Sequence, residues 1–377
     1  MADVAIAPHP FTTIKPNHGV GYVKIECIDR EFNVQCTPNH GFCIKGKRFV
    51  PIQLMDVAGL VPGASEGKGL GNKFLDDLRE ADAFIHIVDI SGKTDSEGKT
   101  LPHGENRNPA DDIIFLEEEL NRWYHGIFMK AWKSFSKNAE VGSRENLARL
   151  VAKQFSGLKI KEDDVRTVLK NTTFKDNPAS WTDNDLMRFS SELRRISKPM
   201  IIAANKIDAT NGDKNYSKLK SDFPNMAIIP CSADSELALR EATRKNLIDY
   251  VPGERDFKVK SELGEGQKNA LDLIRKNVLE KFSHGTGVQE ILNEAVFELL
   301  KYIAIFPAGA KKLKDSKGNT LPDCFLLPQG STALDFAYFL HTDFGKNFVK
   351  AIDARTKRAL GKDHELKNRD ALEIVTK

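Results

Sequence analysis

The sequence predicts a doubly wound α/β domain that is interrupted by a helical segment and followed by a compact α+β domain. Three short runs rich in β-branched residues predict buried parallel strands: Phe84–Ile90, Met200–Ala204 and Ala227–Pro230. Turn residues bound each run, and helical patterns lie between them. We therefore expect a parallel sheet with helices packed on its faces.

An extended region precedes these runs. Val20–Ile25 and Gly41–Asp56 alternate or run apolar, and the turn signal Pro38-Asn39-His40-Gly41 lies between them. Together with the three runs, this region assigns residues 1–90 and 200–303 to the α/β domain.

Residues 91–199 are predicted to form an inserted α-helical domain. Asn108-Pro109 is a favourable helix start, and Asp111–Trp123 places its apolar residues close to one helical face. Residues 126–200 contain 15 Lys and Arg against 9 Asp and Glu. A solvated helical surface and a surface that faces RNA both fit this excess of positive charge.

Residues 304–377 are predicted to form the α+β domain at the C-terminus. Leu334–Leu340 has a helical pattern, and Ala371–Val375 has the pattern of a final strand. The basic stretch Lys350–Lys362 is interpreted as helical, with its positive side chains facing either solvent or RNA.

The composition limits the class of protein. Of 377 residues, 40% are hydrophobic and 29% are charged, and the net charge of +3 is nearly balanced, so any nucleic-acid surface must be local. No apolar run is long enough to span a membrane, and the N-terminus lacks the basic flank of a secretion signal. Five cysteines fit a reducing compartment. We expect a cytoplasmic, multidomain protein with no membrane partner.

The motif Asn205-Lys206-Ile207-Asp208 directly follows an apolar strand. An aspartate in this position accepts hydrogen bonds from N1–H and the exocyclic amine of guanine, a pair of donors that adenine lacks. Asn205 would support the loop and the base edge, and the Lys206 stem would pack along the base plane. The motif predicts GTP and GDP as ligands and disfavours an ATPase.

Two further motifs follow strand ends. Asp56-Val57-Ala58-Gly59 would hold Mg²⁺ through the Asp56 carboxylate, and Gly59 would let its N–H approach a γ-phosphate. The glycine-rich residues 60–72 that follow indicate a segment that rearranges with the nucleotide. After the third run, the backbone of Ser232 and Ala233 would contact the guanine carbonyl oxygen.

The order D-x-x-G, N-K-x-D, S-A is that of a P-loop GTPase. With FTTIKPN near the start, DVAGLVPGASEGKGLGNKFLDDLREAD, ANKID and LPQGSTALDFAYFLHTDFGKNF, the whole chain resembles the Obg-related GTPases of the YchF type in their archaeal form. The resemblance implies a Ras-like core, a helical insertion, a C-terminal TGS domain and association with ribosomes or RNA. It also implies that Thr12 or Thr13, with Thr13 preferred, is the switch threonine that binds Mg²⁺.

The sequence departs from this family in one respect. No G-x-x-x-x-G-K-[ST] motif occurs in the chain, so the backbone cradle and lysine that hold the β- and γ-phosphates are missing. A truncated gene model is the expected explanation. Under the alternative, the chain is a non-catalytic module that binds ribosome or RNA.

Leu60 occupies the position where Ras-like enzymes have a glutamine that orients the attacking water, and the family is similar in having an apolar residue here. We expect slow intrinsic hydrolysis of GTP.

Cys27, Cys36, His40 and Cys43 lie close together in the sequence. Their spacing, C-x8-C-x3-H-x2-C, matches no compact zinc pattern, and small thiols are common in buried strands. We expect these residues to be structural.

Overall fold

The computed structural model describes residues 17–57, 78–95, 98–103, 105–135, 144–175, 177–309, 313–315 and 317–377, without the side chains of residues 133–135. The chain packs as two compact units. The first combines Met1–Gly19 with Met55–Ser235, and the second combines Val20–Leu54 with Glu236–Lys377. This division describes packing, and the domain boundaries at 90, 199 and 303 stay a prediction.

The described strands are β1 (Asn17–Glu26), β2 (Phe42–Ile44), β3 (Lys47–Asp56), β4 (Phe84–Asp89), β5 (Met200–Asn205), β6 (Ala227–Cys231), β7 (Ile248–Tyr250), β8 (Phe257–Val259), β9 (Tyr302–Pro307), β10 (Phe325–Pro328), β11 (Phe348–Asp353), β12 (Ala359–Leu360) and β13 (Ala371–Thr376). The described α-helices are α1 (Ala110–Phe135), α2 (Arg144–Gln154), α3 (Glu162–Asn171), α4 (Asp183–Ser197), α5 (Gly212–Asp222), α6 (Ala233–Arg244), α7 (Glu265–Ile274), α8 (Val288–Asn293), α9 (Ala333–Leu340) and α10 (Thr342–Lys346). No helix among these residues is long and apolar enough to cross a membrane.

The first unit contains a parallel sheet in the order β4-β5-β6. All three predicted runs form its strands, which confirms that part of the prediction. Ile201 and Ala204 of the central strand β5 are fully buried, as expected for a strand covered on both faces. In this register Asp89, Asn205 and Cys231 are neighbours, so the three strands end together.

Helices α1 to α4 of the same unit pack around an aromatic core, which confirms the predicted helices between β4 and β5. The ring of Phe128 stacks on those of Trp132 and Phe155, with centroids 5.3 and 5.4 Å apart. Helix α4 begins where Thr182 and Asp185 form a reciprocal capping box. The apolar faces of these helices form one core, and the polar side chains of Glu119, Ser190 and Arg194 are buried as well.

The second unit contains a sheet in the order β1-β3-β2 and a five-stranded sheet in the order β10-β9-β13-β11-β12. Strands β9 and β13 run parallel, whereas the other pairs of the larger sheet are antiparallel. Helix α9 and strand β13 confirm the predicted C-terminal helix and final strand.

The interpretation of Lys350–Lys362 as a helix is wrong. This stretch continues β11, turns, and returns as β12. The Asp353 carboxylate accepts hydrogen bonds from the backbone N–H groups of Arg355 and Thr356 at 2.8 and 2.6 Å. This aspartate turn competes with a helix, and Lys357 then adopts a left-handed φ of 61°.

Candidate functional site

The candidate site lies in the first unit, at the carboxyl ends of β4, β5 and β6. Strand pairing places Asp89 beside Asn205, and Asn205 beside Cys231. In open α/β sheets the loops at this edge are where ligands bind, because the helices leave a crevice there. The residues that follow each strand therefore form the first candidates for ligand contact.

The Asn205 side chain joins the loops that follow β5 and β6. Its Oδ1 accepts a hydrogen bond from the backbone N–H of Ala233 at 3.0 Å, and the Cys231 thiol lies 3.8 Å from the same oxygen. The backbone N–H of Ile207 donates to the Cys231 carbonyl at 3.1 Å. These bonds hold the N-K-x-D loop and the S-A loop side by side.

Lys206 pairs across the strand ends with Asp89. Its Nζ donates to Asp89 Oδ2 at 2.7 Å, and the same oxygen accepts a bond from the Thr94 hydroxyl at 2.9 Å. The other oxygen accepts the Ser91 backbone N–H at 2.9 Å. Burial alone would raise the pKa of Asp89, but these bonds outweigh it and hold the pKa below its usual value.

Lys206 has a left-handed φ of 63°. A lysine rarely adopts this conformation, and the surrounding contacts must hold it there. Ile207 is almost fully buried, whereas Asp208 is exposed. The turn thus fixes Ile207 in the core and leaves the Asp208 carboxylate accessible to a ligand.

Ser232 is buried, and its hydroxyl lies 2.8 Å from that of Ser235. The backbone N–H of Ser235 points to the Ser232 hydroxyl at 3.4 Å, at the start of α6. These contacts shape the loop after β6, and Ala233 at its tip is exposed. Ser232 contributes to the loop through its hydroxyl, and Ala233 through the backbone bond to Asn205.

The remaining predicted residues are not brought into this group. Asp56 is exposed at the end of β3, in a different sheet from β5 and β6. Thr12, Thr13, Gly59 and Leu60 lie outside the described residues. Their roles stay predictions.

Sequence reasoning missed Asp89, which the structure makes the partner of Lys206. A signal was available, because Asp89 ends the apolar run FIHIVD just as Asn205 ends the next strand. A polar residue at the carboxyl end of a parallel strand is a candidate for the ligand-binding edge. The pairing itself depends on the order of the strands.

Three segments of the chain match known families. Residues 2–117 match the family described as 50S ribosome-binding GTPase, and residues 203–309 match the Obg-like GTPase YGR210-like, G4 motif-containing domain. Residues 310–376 match the TGS domain, which confirms the predicted C-terminal domain type.

Comparisons over the whole chain agree with these segment matches. An uncharacterised GTP-binding protein of Methanocaldococcus jannaschii is 45% identical over 98% of this chain and 92% of its own length. The crystal structure of a GTP-binding protein from Pyrococcus horikoshii OT3 has a TM-score of 0.75 and 37% identity, and covers 96% of this chain and 93% of that one. The ribosome-binding ATPase YchF of Escherichia coli O157:H7 is 25% identical over 99% of this chain and 93% of its own.

These matches confirm the resemblance and the Ras-like α/β fold with its C-terminal TGS domain. The identity to the Methanocaldococcus protein and its coverage are sufficient to assign the family. The chain therefore belongs to the Obg-related, YchF-type family of TGS-domain GTP-binding proteins, in its archaeal form.

Proposed function

We propose that this protein binds GTP and GDP at the loops after β5 and β6, hydrolyses GTP slowly, and acts near the ribosome or RNA in the cytoplasm. The bond from Ala233 N–H to Asn205 Oδ1, at 3.0 Å, carries the proposal. It joins the two loops that would surround a guanine base while Asp208 stays exposed. Such a preformed site lowers the cost of ordering loops on binding.

Selection of guanine rests on Asp208. Its carboxylate is an acceptor for both the N1–H and the exocyclic amine of guanine, and adenine offers no such pair of donors. A site that leaves buried polar groups unpaired discriminates strongly against the wrong base. Because the Escherichia coli relative is named an ATPase, an ATP analogue is an essential comparison.

The part of the proposal that concerns phosphate and Mg²⁺ rests on sequence motifs. Asp56 would hold Mg²⁺ together with Thr13, or with Thr12 in its place, and Gly59 would respond to the γ-phosphate. Mg²⁺ would neutralise charge on the transferring phosphoryl group. The Leu60 side chain has no polar atom with which to orient water, so unassisted hydrolysis should be slow.

A second candidate function is a non-catalytic module that binds ribosome or RNA. The absence of G-x-x-x-x-G-K-[ST] from the chain favours it, because that loop carries the phosphate-binding lysine. The basic hairpin of β11 and β12 exposes Arg358 and, just after β12, Lys362 to a polyanion.

Equilibrium binding of fluorescent GDP and GTP analogues, with Mg²⁺, tests the first proposal. We expect guanine nucleotides to bind more tightly than the ATP analogue, and Asp208→Asn to abolish that preference. Asp222→Asn is the matched control, since it makes the same charge change at an exposed position on α5. Equal binding of both bases by the unmodified chain would contradict the proposed site.

Ribosome co-sedimentation and single-turnover hydrolysis separate the two functions. A regulatory GTPase should show GTP hydrolysis and ribosome binding that depends on the bound nucleotide. A non-catalytic module should bind ribosomes equally with and without nucleotide and show no hydrolysis. The Asp208→Asn variant serves as the control in both measurements.

A further inference from the structure

Three cysteines and one aspartate converge in the second unit. Cys27 follows β1, Asp29 begins a short 3₁₀ segment, Cys36 lies in the following loop, and Cys43 is part of β2. One potential ligand atom from each residue lies within 4.8 Å of the other three. The thiols of Cys27 and Cys36 and the carboxylate of Asp29 are buried, and Cys43 is half-buried.

Two distances within this cluster are close to those around a single tetrahedral ion. Around zinc, with Zn–S of about 2.3 Å and Zn–O of about 2.0–2.2 Å, two thiolates lie roughly 3.8 Å apart and a thiolate lies roughly 3.5 Å from a carboxylate oxygen. The Cys27 and Cys36 sulfurs are 3.7 Å apart, and the Cys43 sulfur is 3.8 Å from Asp29 Oδ2. An iron–sulfur cluster would need ligand atoms spread more widely.

Asp29 is the independent indication that a ligand is needed here. Its side chain is 2% exposed, and among the described residues its Oδ1 has no hydrogen-bond partner. From the described part of the chain, its Oδ2 receives a long bond, at 3.5 Å, from the backbone N–H of Cys36 and the contact with Cys43. A buried carboxylate with so few hydrogen bonds destabilises the folded state unless a cation neutralises its charge.

Arg48 is buried and acts electrostatically on Cys36, but its described hydrogen bonds go to carbonyl oxygens outside the cluster. The buried guanidinium donates to the carbonyl oxygens of Leu321 and Pro322 at 3.1 and 2.9 Å. The Cys27 thiol donates its hydrogen bond to the Cys36 sulfur, within the cluster.

We propose that Cys27, Asp29, Cys36 and Cys43 form a structural zinc site. Thiolates select a soft or borderline metal, and four protein ligands leave no open position for catalysis. The spacing is C-x-D-x6-C-x6-C, so Asp29 takes the place that the sequence pattern offered to His40, which is exposed and outside the cluster. The bound ion links an irregular loop to the hydrophobic core that contains Phe306 and Cys324.

The test measures zinc bound to the full-length chain after extensive dialysis, by inductively coupled plasma mass spectrometry. We expect one zinc per chain in the unmodified protein, and loss of it in Cys36→Ser and in Cys43→Ser. Cys324→Ala is the matched control, because Cys324 is buried in the same core without belonging to the ligand set, and it should retain the metal. His40→Ala should retain it as well.

Two measurements on the unmodified chain keep the proposal falsifiable if the variants fold poorly. Replacement of zinc by cobalt should produce the charge-transfer and ligand-field bands of a tetrahedral thiolate site. A strong chelator should lower the melting temperature of the folded protein, and zinc should restore it. A folded chain that binds no zinc in excess metal, or a Cys27–Cys36 disulfide trapped directly from cells, would overturn the proposal.

Discussion

The helical core and the strand-end site of the first unit are built on opposite principles. Around Phe128 the contacts are between aromatic rings, and the residue is fully buried. Around Asn205 and Lys206 the contacts are hydrogen bonds between loop residues, and Asp208 is exposed. Burial of apolar area provides most of the stability, whereas directed polar groups provide recognition at small energetic gain. Mutations in the two regions should therefore separate stability from binding.

The largest effect is expected in the helical core. Phe128→Ala removes a ring that packs on Trp132, Phe155 and Phe189, so unfolding should become easier by about 3–5 kcal/mol. Urea unfolding measures this change. Ile114→Ala, at an exposed position on the same helix, should change stability by less than about 0.5 kcal/mol. A small effect at Phe128 would mean that the aromatic core does not dominate stability.

The next effect depends on pH. Burial lowers the pKa of His86 in β4 to about 4, although Glu117 opposes the shift. As the pH falls from 6.5 to 4, the unfolded chain therefore binds more protons than the folded chain. The free energy of unfolding should decrease over this fall in pH by at most on the order of 3 kcal/mol. His86→Leu should remove this part of the pH dependence in unfolding experiments, whereas His40→Gln should leave it. An identical pH profile in His86→Leu would contradict the assigned environment.

A smaller effect on stability, but a clear one on binding, is expected at Asn205. Asn205→Ala removes the acceptor for Ala233 N–H and should cost about 0.5–1.5 kcal/mol of stability. Guanine-nucleotide affinity should fall by ~10-fold or more, because the two loops lose their link. Titration with a fluorescent GDP analogue measures the loss. Asn205→Asp keeps the oxygen and should preserve more of the affinity than Asn205→Ala.

The smallest effect on stability is expected for the Lys206–Asp89 pair. The Lys206 side chain is 45% exposed, so Lys206→Met should change stability by less than about 1 kcal/mol. The pKa of Asp89 should nonetheless rise, since burial then acts with fewer compensating bonds. Carboxyl-detected NMR titration reports that pKa. An unchanged Asp89 pKa in the variant would show that the pair does not form in solution.

Much of the fold was predictable from local pattern. The strands β4, β5 and β6 are short apolar runs between turn residues, and α1 follows a proline start with its apolar residues on one face. The prediction of a helix over Lys350–Lys362 was wrong because Asp353 forms a turn that helical periodicity does not reveal. Local side-chain bonds to the backbone decide such cases.

The sequence by itself determined the family, the parallel strands and the motifs at their ends, because hydrophobic period and motif spacing are properties of neighbouring residues. Only the tertiary structure decided that Lys206 contacts Asp89, and that Asp29 rather than His40 joins the three cysteines. Both depend on which strands and loops lie side by side, and on burial that leaves a carboxylate oxygen unpaired. Such contacts join residues whose separation along the chain carries no local signal.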